Sequence, residues 1–165
     1  MKMPLAEILR EALMDEYTAR DTYRKIIETF GSIRPFSNIV EAEQTHIELL
    51  LPLFEKYGIP PPPEPDPDRI TAPDGLLEAC RAAIAAEVAN VALYDRLMSQ
   101  TELPDVLEVL HRLQAASRDH HLPAFQRCAD RGGVARSGRG FGTGGGPRGN
   151  AGQGRRGYGH GAGRQ

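Results

Sequence analysis

Six residues interrupt the apolar periodicity of the chain at positions where a packed helix would take Leu or Ile: Glu16, Glu43, His46, Glu87, Ser117 and His120. A carboxylate buried there without a partner costs several kcal/mol or takes up a proton. Any one of them alone would be read as a surface glutamate whose stem lies on the core. Here every helical segment carries an exception, and the exceptions repeat. Glu16-x6-Tyr23 followed by Glu43-x2-His46 returns as Glu87-x6-Tyr94 followed by Ser117-x2-His120. Carboxylate oxygens and imidazole nitrogens on facing helices suit a pair of iron or manganese ions, whereas thiolates would turn the choice toward zinc. Neutral imidazole also ligates without adding charge.

Four segments must position these residues. Leu5, Leu9, Ala12, Glu16, Ala19, Tyr23, Ile26 and Phe30 step by threes and fours, and Gly31 and Pro35 end the run. A second segment runs from Phe36 through Ile39, Glu43, His46, Leu50 and Leu53 to Gly58, and a third from Leu77 through Cys80, Ile84, Glu87, Val91 and Tyr94 to Met98. The fourth opens at Pro104, a good first helical residue, and continues through Leu107, Leu110, Ser117, His120 or His121, and Ala124 to Cys128. No β-branched alternation occurs, so the chain reads as all-α. Short connections make segments 1 and 2 antiparallel neighbours, and likewise 3 and 4. Glu16 and Glu43 are then level, because their midpoint falls beside Gly31. Glu87 and Ser117 are level by the same rule, about Pro104.

The middle connection is different. Gly58 to Asp74 contains Pro60 to Pro63, Pro65, Pro67 and Pro73. Extended at roughly 3.1 Å per residue it reaches about 50 Å, more than the ~35 Å of a 23-residue helix. It is expected to cross the length of a four-helix bundle and start helix 3 parallel to helix 2. A plain interdomain linker would leave one helical hairpin on each side, too little to fold alone.

Charge divides the chain in two. Residues 1–131 hold 14 of the 20 basic and all 22 acidic side chains, whereas 132–165 hold six Arg, no acid and 15 of the 18 glycines. The folding unit is therefore expected over 1–131, with 132–165 a disordered Gly/Arg-rich tail. Its Arg, Phe141 and Tyr158 resemble segments that contact single-stranded nucleic acid; docking on the acidic body of another copy, or simple solubilisation, are the alternatives. No apolar run approaches the ~20 residues of a membrane span, and charge returns by Glu7, which argues against a signal-peptide core. Two cysteines, Cys80 and Cys128, make no disulfide framework and no CxxC site; they fall at the same end of the bundle and are read as reduced, buried apolar fillers, with a redox dithiol as the alternative. A cytoplasmic protein is expected.

The paired Glu-x6-Tyr and the stretch Asn38-Ile39-Val40-Glu41-Ala42-Glu43-Gln44-Thr45-His46 resemble the ferritin-like superfamily of di-iron carboxylate bundles. A closer resemblance is to a prokaryotic family of unknown function within it. That likeness lies in Glu16-Tyr17-Thr18-Ala19-Arg20-Asp21-Thr22-Tyr23 and in Ala116-Ser117-Arg118-Asp119-His120-His121-Leu122-Pro123-Ala124-Phe125, and it spans residues 7–131. The resemblance implies a ferritin-like bundle with a metal site of the kind that superfamily uses for iron oxidation, peroxide reduction or oxygen activation.

One ligand departs from the superfamily pattern. Ser117 stands where a full site has Glu, and serine cannot bridge two metals as a carboxylate does. Glu16, Glu43, His46, Glu87 and His120, with His121 as alternate or supporting ligand, are the expected metal residues, holding one or two iron ions (manganese as alternative) that meet dioxygen or peroxide. His120 is preferred for its i, i+3 spacing, although Pro123 frees the carbonyl of Asp119 and is expected to kink or bulge the helix there. Tyr23 and Tyr94 are read as core residues with satisfied hydroxyls, or as hydrogen-bond partners of the ligand carboxylates. Asn90 either orients a ligand or faces water, His111 is a surface residue, and Arg20 pairs with Glu16 or Asp21. A helical binding module without catalysis, working through the tail, is the competing reading.

Overall fold

The computed structural model of the protein describes residues 2–134. Among these the regular structure is entirely helical: α1 (Leu5–Phe30), α2 (Phe36–Lys56), a short 3-10 turn (Pro67–Arg69), α3 (Leu76–Met98), α4 (Pro104–Ala116) and α5 (Leu122–Asp130). A π-helical turn, Ser117–His121, joins α4 to α5 without a break, so the two form one long fourth helix. Gly31 ends α1 with φ +91°, a conformation that side chains with a Cβ resist, and its N–H closes on Ile27 O at 2.8 Å. Pro104 opens α4, where a missing N–H costs nothing.

Two apolar clusters fix the directions of the helices. The first gathers Leu9 and Leu13 near the start of α1, Leu50 and Leu53 near the end of α2, Leu97 at the end of α3, and Val106 and Leu110 from α4. The second gathers Tyr23 and Ile26 of α1, Phe36 and Ile39 of α2, Ala79 and Cys80 of α3, and Phe125 and Cys128 of α5. Thus α1 and α4–α5 run one way, and α2 and α3 the other. The proline-rich residues between α2 and α3 leave from the first cluster, where Ile59 packs. Glu64 reaches Arg20 midway along α1 at 2.6 Å, and the segment arrives at the second cluster with Leu76. Between the two clusters lies a band of buried polar residues. No helix among the described residues is long and apolar enough to cross a membrane.

One expectation changes here. Cys80 and Cys128 are not separate thiols but a disulfide, their Cα atoms 6.0 Å apart. Both side chains are sealed in the second cluster, where antiparallel α3 and α5 bring them to one level at a separation within bridging range. With the pair bonded, cysteine usage no longer points to a reducing compartment. The irregularity expected ahead of Pro123 is present in the long fourth helix as the π turn Ser117–His121. The Gly/Arg-rich tail expected over 132–165, with its nucleic-acid reading, lies from residue 135 onward outside the described residues.

The bridge closes a loop of 48 residues through α3, α4 and α5. Replacing both cysteines, Cys80→Ala with Cys128→Ala, is expected to lower unfolding free energy by roughly 2–4 kcal/mol while helix content stays unchanged. Denaturant unfolding followed by circular dichroism reads this directly. An unshifted midpoint would show that the bridge carries no stability.

Candidate metal centre

The band between the clusters is built from five buried ionisable side chains on four helices. Glu16 comes from α1, Glu43 and His46 from α2, Glu87 from α3, and His121 from the π turn. Within α2 the i, i+3 spacing puts Glu43 and His46 on one face, and His46 Nδ1 lies 2.9 Å from Glu43 Oε2. The same nitrogen lies 3.0 Å from Glu16 Oε2 across the helix pair. His121 Nδ1 sits 3.2 Å from Glu43 Oε1 and 3.5 Å from Glu87 Oε1. Glu43 therefore stands between the two imidazoles, whose rings stack with centroids 5.6 Å apart.

The donors fall into two groups that share Glu43: Glu16, Glu43 and His46, and Glu43, Glu87 and His121. In each, one oxygen or nitrogen atom per residue lies within 4.8 Å of the others, close enough to converge on a cation. His121 Nδ1 is fully buried and off the line of any hydrogen bond, although two carboxylates stand beside it. A buried nitrogen without a hydrogen-bond partner and facing carboxylates is one that a bound metal ion would satisfy. The set is oxygen and nitrogen without sulfur, which fits iron or manganese. Sharing Glu43 also alters the ligand balance read from sequence. The second half is not short by one carboxylate, since each group holds two carboxylates and one imidazole.

Two tyrosines brace the centre by crossing over. Tyr23 of α1 donates its hydroxyl to Glu87 Oε1 of α3 at 2.7 Å, and Tyr94 of α3 donates to Glu16 Oε1 of α1. Each carboxylate is thereby oriented from the helix opposite its own. Burial, with the nearby carboxylates, raises both phenols well above their ordinary pKa and keeps them donors. Sequence contained this signal. Glu and Tyr are seven residues apart on both helices, and on antiparallel helices one level pair makes the other level too.

His120 is exposed and belongs to neither group; His121 is the inward residue. The cause is local. Pro123 has no N–H for the carbonyl of Asp119, and the ladder is re-formed with a wider ring in which Leu122 N–H bonds Ser117 O. The wider turn rotates less per residue, so the inward face comes one residue later than regular spacing predicts. Ser117 is buried, and its hydroxyl donates to Asn90 Oδ1 at 2.7 Å; Asn90 in turn donates to Asp15. Asp15 was not among the expected residues, its only signal being its place next to Glu16. Burial pushes the Asp15 carboxyl above its ordinary pKa, and Glu43 and Glu87 add to the effect. Arg20 pairs with Asp21 at 2.8 Å and with Glu64, not with Glu16. His111 lies on the surface.

Comparison with known proteins finds relatives of the helical body. Residues 8–71 match the family model described as an uncharacterized protein domain, DUF2202. The matched segment contains Glu16, Glu43 and His46. The chain is 27% identical over 145 residues to the uncharacterized protein MJ0754 of Methanocaldococcus jannaschii, covering 76% of this chain and 77% of that one. The crystal structure of that hypothetical protein superposes with a TM-score of 0.70 at 26% identity, over 83% of this chain and 88% of the other. The similarity thus extends over most of the helical body.

Without metal, the centre holds protons. Desolvation alone would lower both imidazole pKa values, but the paired carboxylates outweigh it, raising His46 to about 9 and His121 to about 10. Glu16 is raised to about 8 by burial, against its contact with His46. For Glu43 burial acts upward too, but the two imidazoles dominate and hold it low. Groups raised in the folded state stabilise it at low pH and lose that contribution as pH rises through their folded values. Glu43 acts oppositely, losing its contribution as pH falls below the ordinary carboxylate range. Metal-free protein is therefore expected to be most stable near the ordinary carboxylate range, at roughly pH 4–5, with a melting temperature that falls from there through pH 10. Differential scanning calorimetry checks this, and a melting temperature that rises over that interval would contradict the charge assignment.

Proposed function

We propose that the chain is a ferritin-like metal protein whose centre holds two iron or manganese ions and handles a small oxidant, dioxygen or peroxide. The observation that carries this reading is the position of Glu43, shared by two groups of buried donors, one of which includes the buried His121 Nδ1 that has no hydrogen-bond partner among the described residues. Helix directions agree with it, since α2 and α3 run alike and a proline-rich crossover links them. Bound iron or manganese supplies the electrons for oxidant reduction. The chain's own part is positional. Glu43 offers one oxygen to each side, while Tyr94 and Tyr23 hold Glu16 and Glu87 in place. The apolar clusters at both ends of the band exclude bulk water, which strengthens every charge interaction inside. Ser117, bonded away to Asn90, contributes no carboxylate, so the two groups draw on three carboxylates between them, Glu43 serving both.

Untagged protein loaded with ferrous iron or manganese and then desalted is expected to retain two metal ions per chain by elemental analysis. Glu43→Ala should lose both, because it removes a donor from each group at once. Glu16→Ala should lose one. Full retention in the Glu43 variant, or none in the wild type, would overturn the reading. A second substitution tests the part played by Ser117. Ser117→Glu supplies a fourth carboxylate to two divalent ions otherwise faced by three, so the loaded variant should resist a chelator longer than wild type. The added bulk should also cost the metal-free variant roughly 1–3 kcal/mol of stability, read by denaturant unfolding.

A further inference from the structure

Between α1 and α3 a cavity of about 230 Å³ opens from the surface and ends at Glu43 and Glu87. Its origin is in the sequence. Along its α1-facing side α3 carries Ala79, Ala82, Ala83 and Ala86, and α1 answers with Ala19 and Thr22, so neither helix fills the space between them. Elsewhere the same helices meet through Leu, Tyr and Ile. Tyr23 and Ile26 form part of the wall, while Thr71 and Pro73 of the α2–α3 connection close one side.

The lining sets the chemistry of an occupant. Its walls are mostly apolar. Among the described residues the charged groups facing it are Asp15, Glu43 and Glu87, and no Lys, Arg or His lines it. Such a pocket repels anions and favours a compact apolar body with a hydrogen-bond donor, best of all an ammonium group. Size narrows the choice further. A dry cavity of about 150 Å³ accommodates benzene, so 230 Å³ takes a ring or short branched chain with one or two further atoms.

We propose that this cavity is the binding pocket of the centre for a small, mainly apolar amine, held with its donor end toward Asp15, Glu87 and Glu43. That the pocket serves a metal centre rests on the reading above; that it binds such a molecule does not. The centre then acts beside an organic ligand of about monocyclic size. Glu87 connects the two functions, belonging to the second donor group while lining the pocket.

The test uses the full chain, isotope-labelled and metal-free, titrated with benzylamine, benzyl alcohol and benzoate and followed by protein-observed NMR. Benzylamine is expected to shift the amides of Thr22, Ala83 and Glu87 saturably, benzyl alcohol more weakly, and benzoate not at all. Ala86→Leu places a larger side chain at the solvent edge of the cavity and should weaken benzylamine by about tenfold or more. Thr18→Leu, on the exposed opposite wall, provides the same obstruction should the first variant fail to fold. Equal binding of benzoate, shifts scattered over the surface, or unweakened binding in the folded obstructed variants would overturn the proposal. Metal retention is measured on a separate portion of the same protein, loaded and desalted as above. Benzylamine binding without metal retention would leave the pocket standing and remove the metal reading; the reverse would remove the pocket alone.

Discussion

Glu43 faces His46 at 2.9 Å through one oxygen and His121 at 3.2 Å through the other, in the middle of a helical core. A carboxylate in that position is tolerable only if its charge is matched, and a single cation would leave one side bare. The flanking imidazoles, with Glu16 and Glu87 beyond them, make a line of alternating acid and base across the bundle. Protons can satisfy most of that line, but His121 Nδ1 remains without a hydrogen-bond partner. Cations held by the two donor groups that share Glu43 would satisfy all of it.

The rest of the architecture supports that arrangement. Apolar clusters on either side of the polar band hold the four helices at fixed distance, so carboxylates from α1 and α3 meet donors from α2 and the π turn. The crossed Tyr23–Glu87 and Tyr94–Glu16 bonds tie α1 to α3 at two levels about 10.5 Å apart, two helical turns, and between these helices the small side chains leave the cavity open. The disulfide pins α3 to α5 within the second cluster. At Pro123 a missing N–H becomes a wider turn, and the wider turn brings His121 inward.

Much of this is legible in the residues themselves. Glu16, Glu43, His46 and Glu87 betray their burial because each replaces an aliphatic residue in a regular helical step, and an internal repeat makes coincidence an unattractive explanation. The all-helical fold follows from the same steps. His121 is obscured because periodicity assumes a constant rotation per residue, which Pro123 locally breaks. Sequence could mark the place of the irregularity without fixing its sense. The Cys80–Cys128 bond depends on two side chains facing each other across α3 and α5, which helix level alone does not decide. Asp15 and the α1–α3 cavity depend on three-dimensional neighbours: small residues at 79, 82, 83 and 86 look like ordinary helix formers until α1 is placed opposite.

The central claim is that Glu43 joins two metal positions. Anomalous difference density from crystals loaded with iron or manganese, collected on both sides of the metal's absorption edge, tests it most directly. The account predicts two peaks, one among Glu16, Glu43 and His46 and the other among Glu43, Glu87 and His121, with a different oxygen of Glu43 on each. A single peak away from Glu43, or no peak within the polar band, would contradict it.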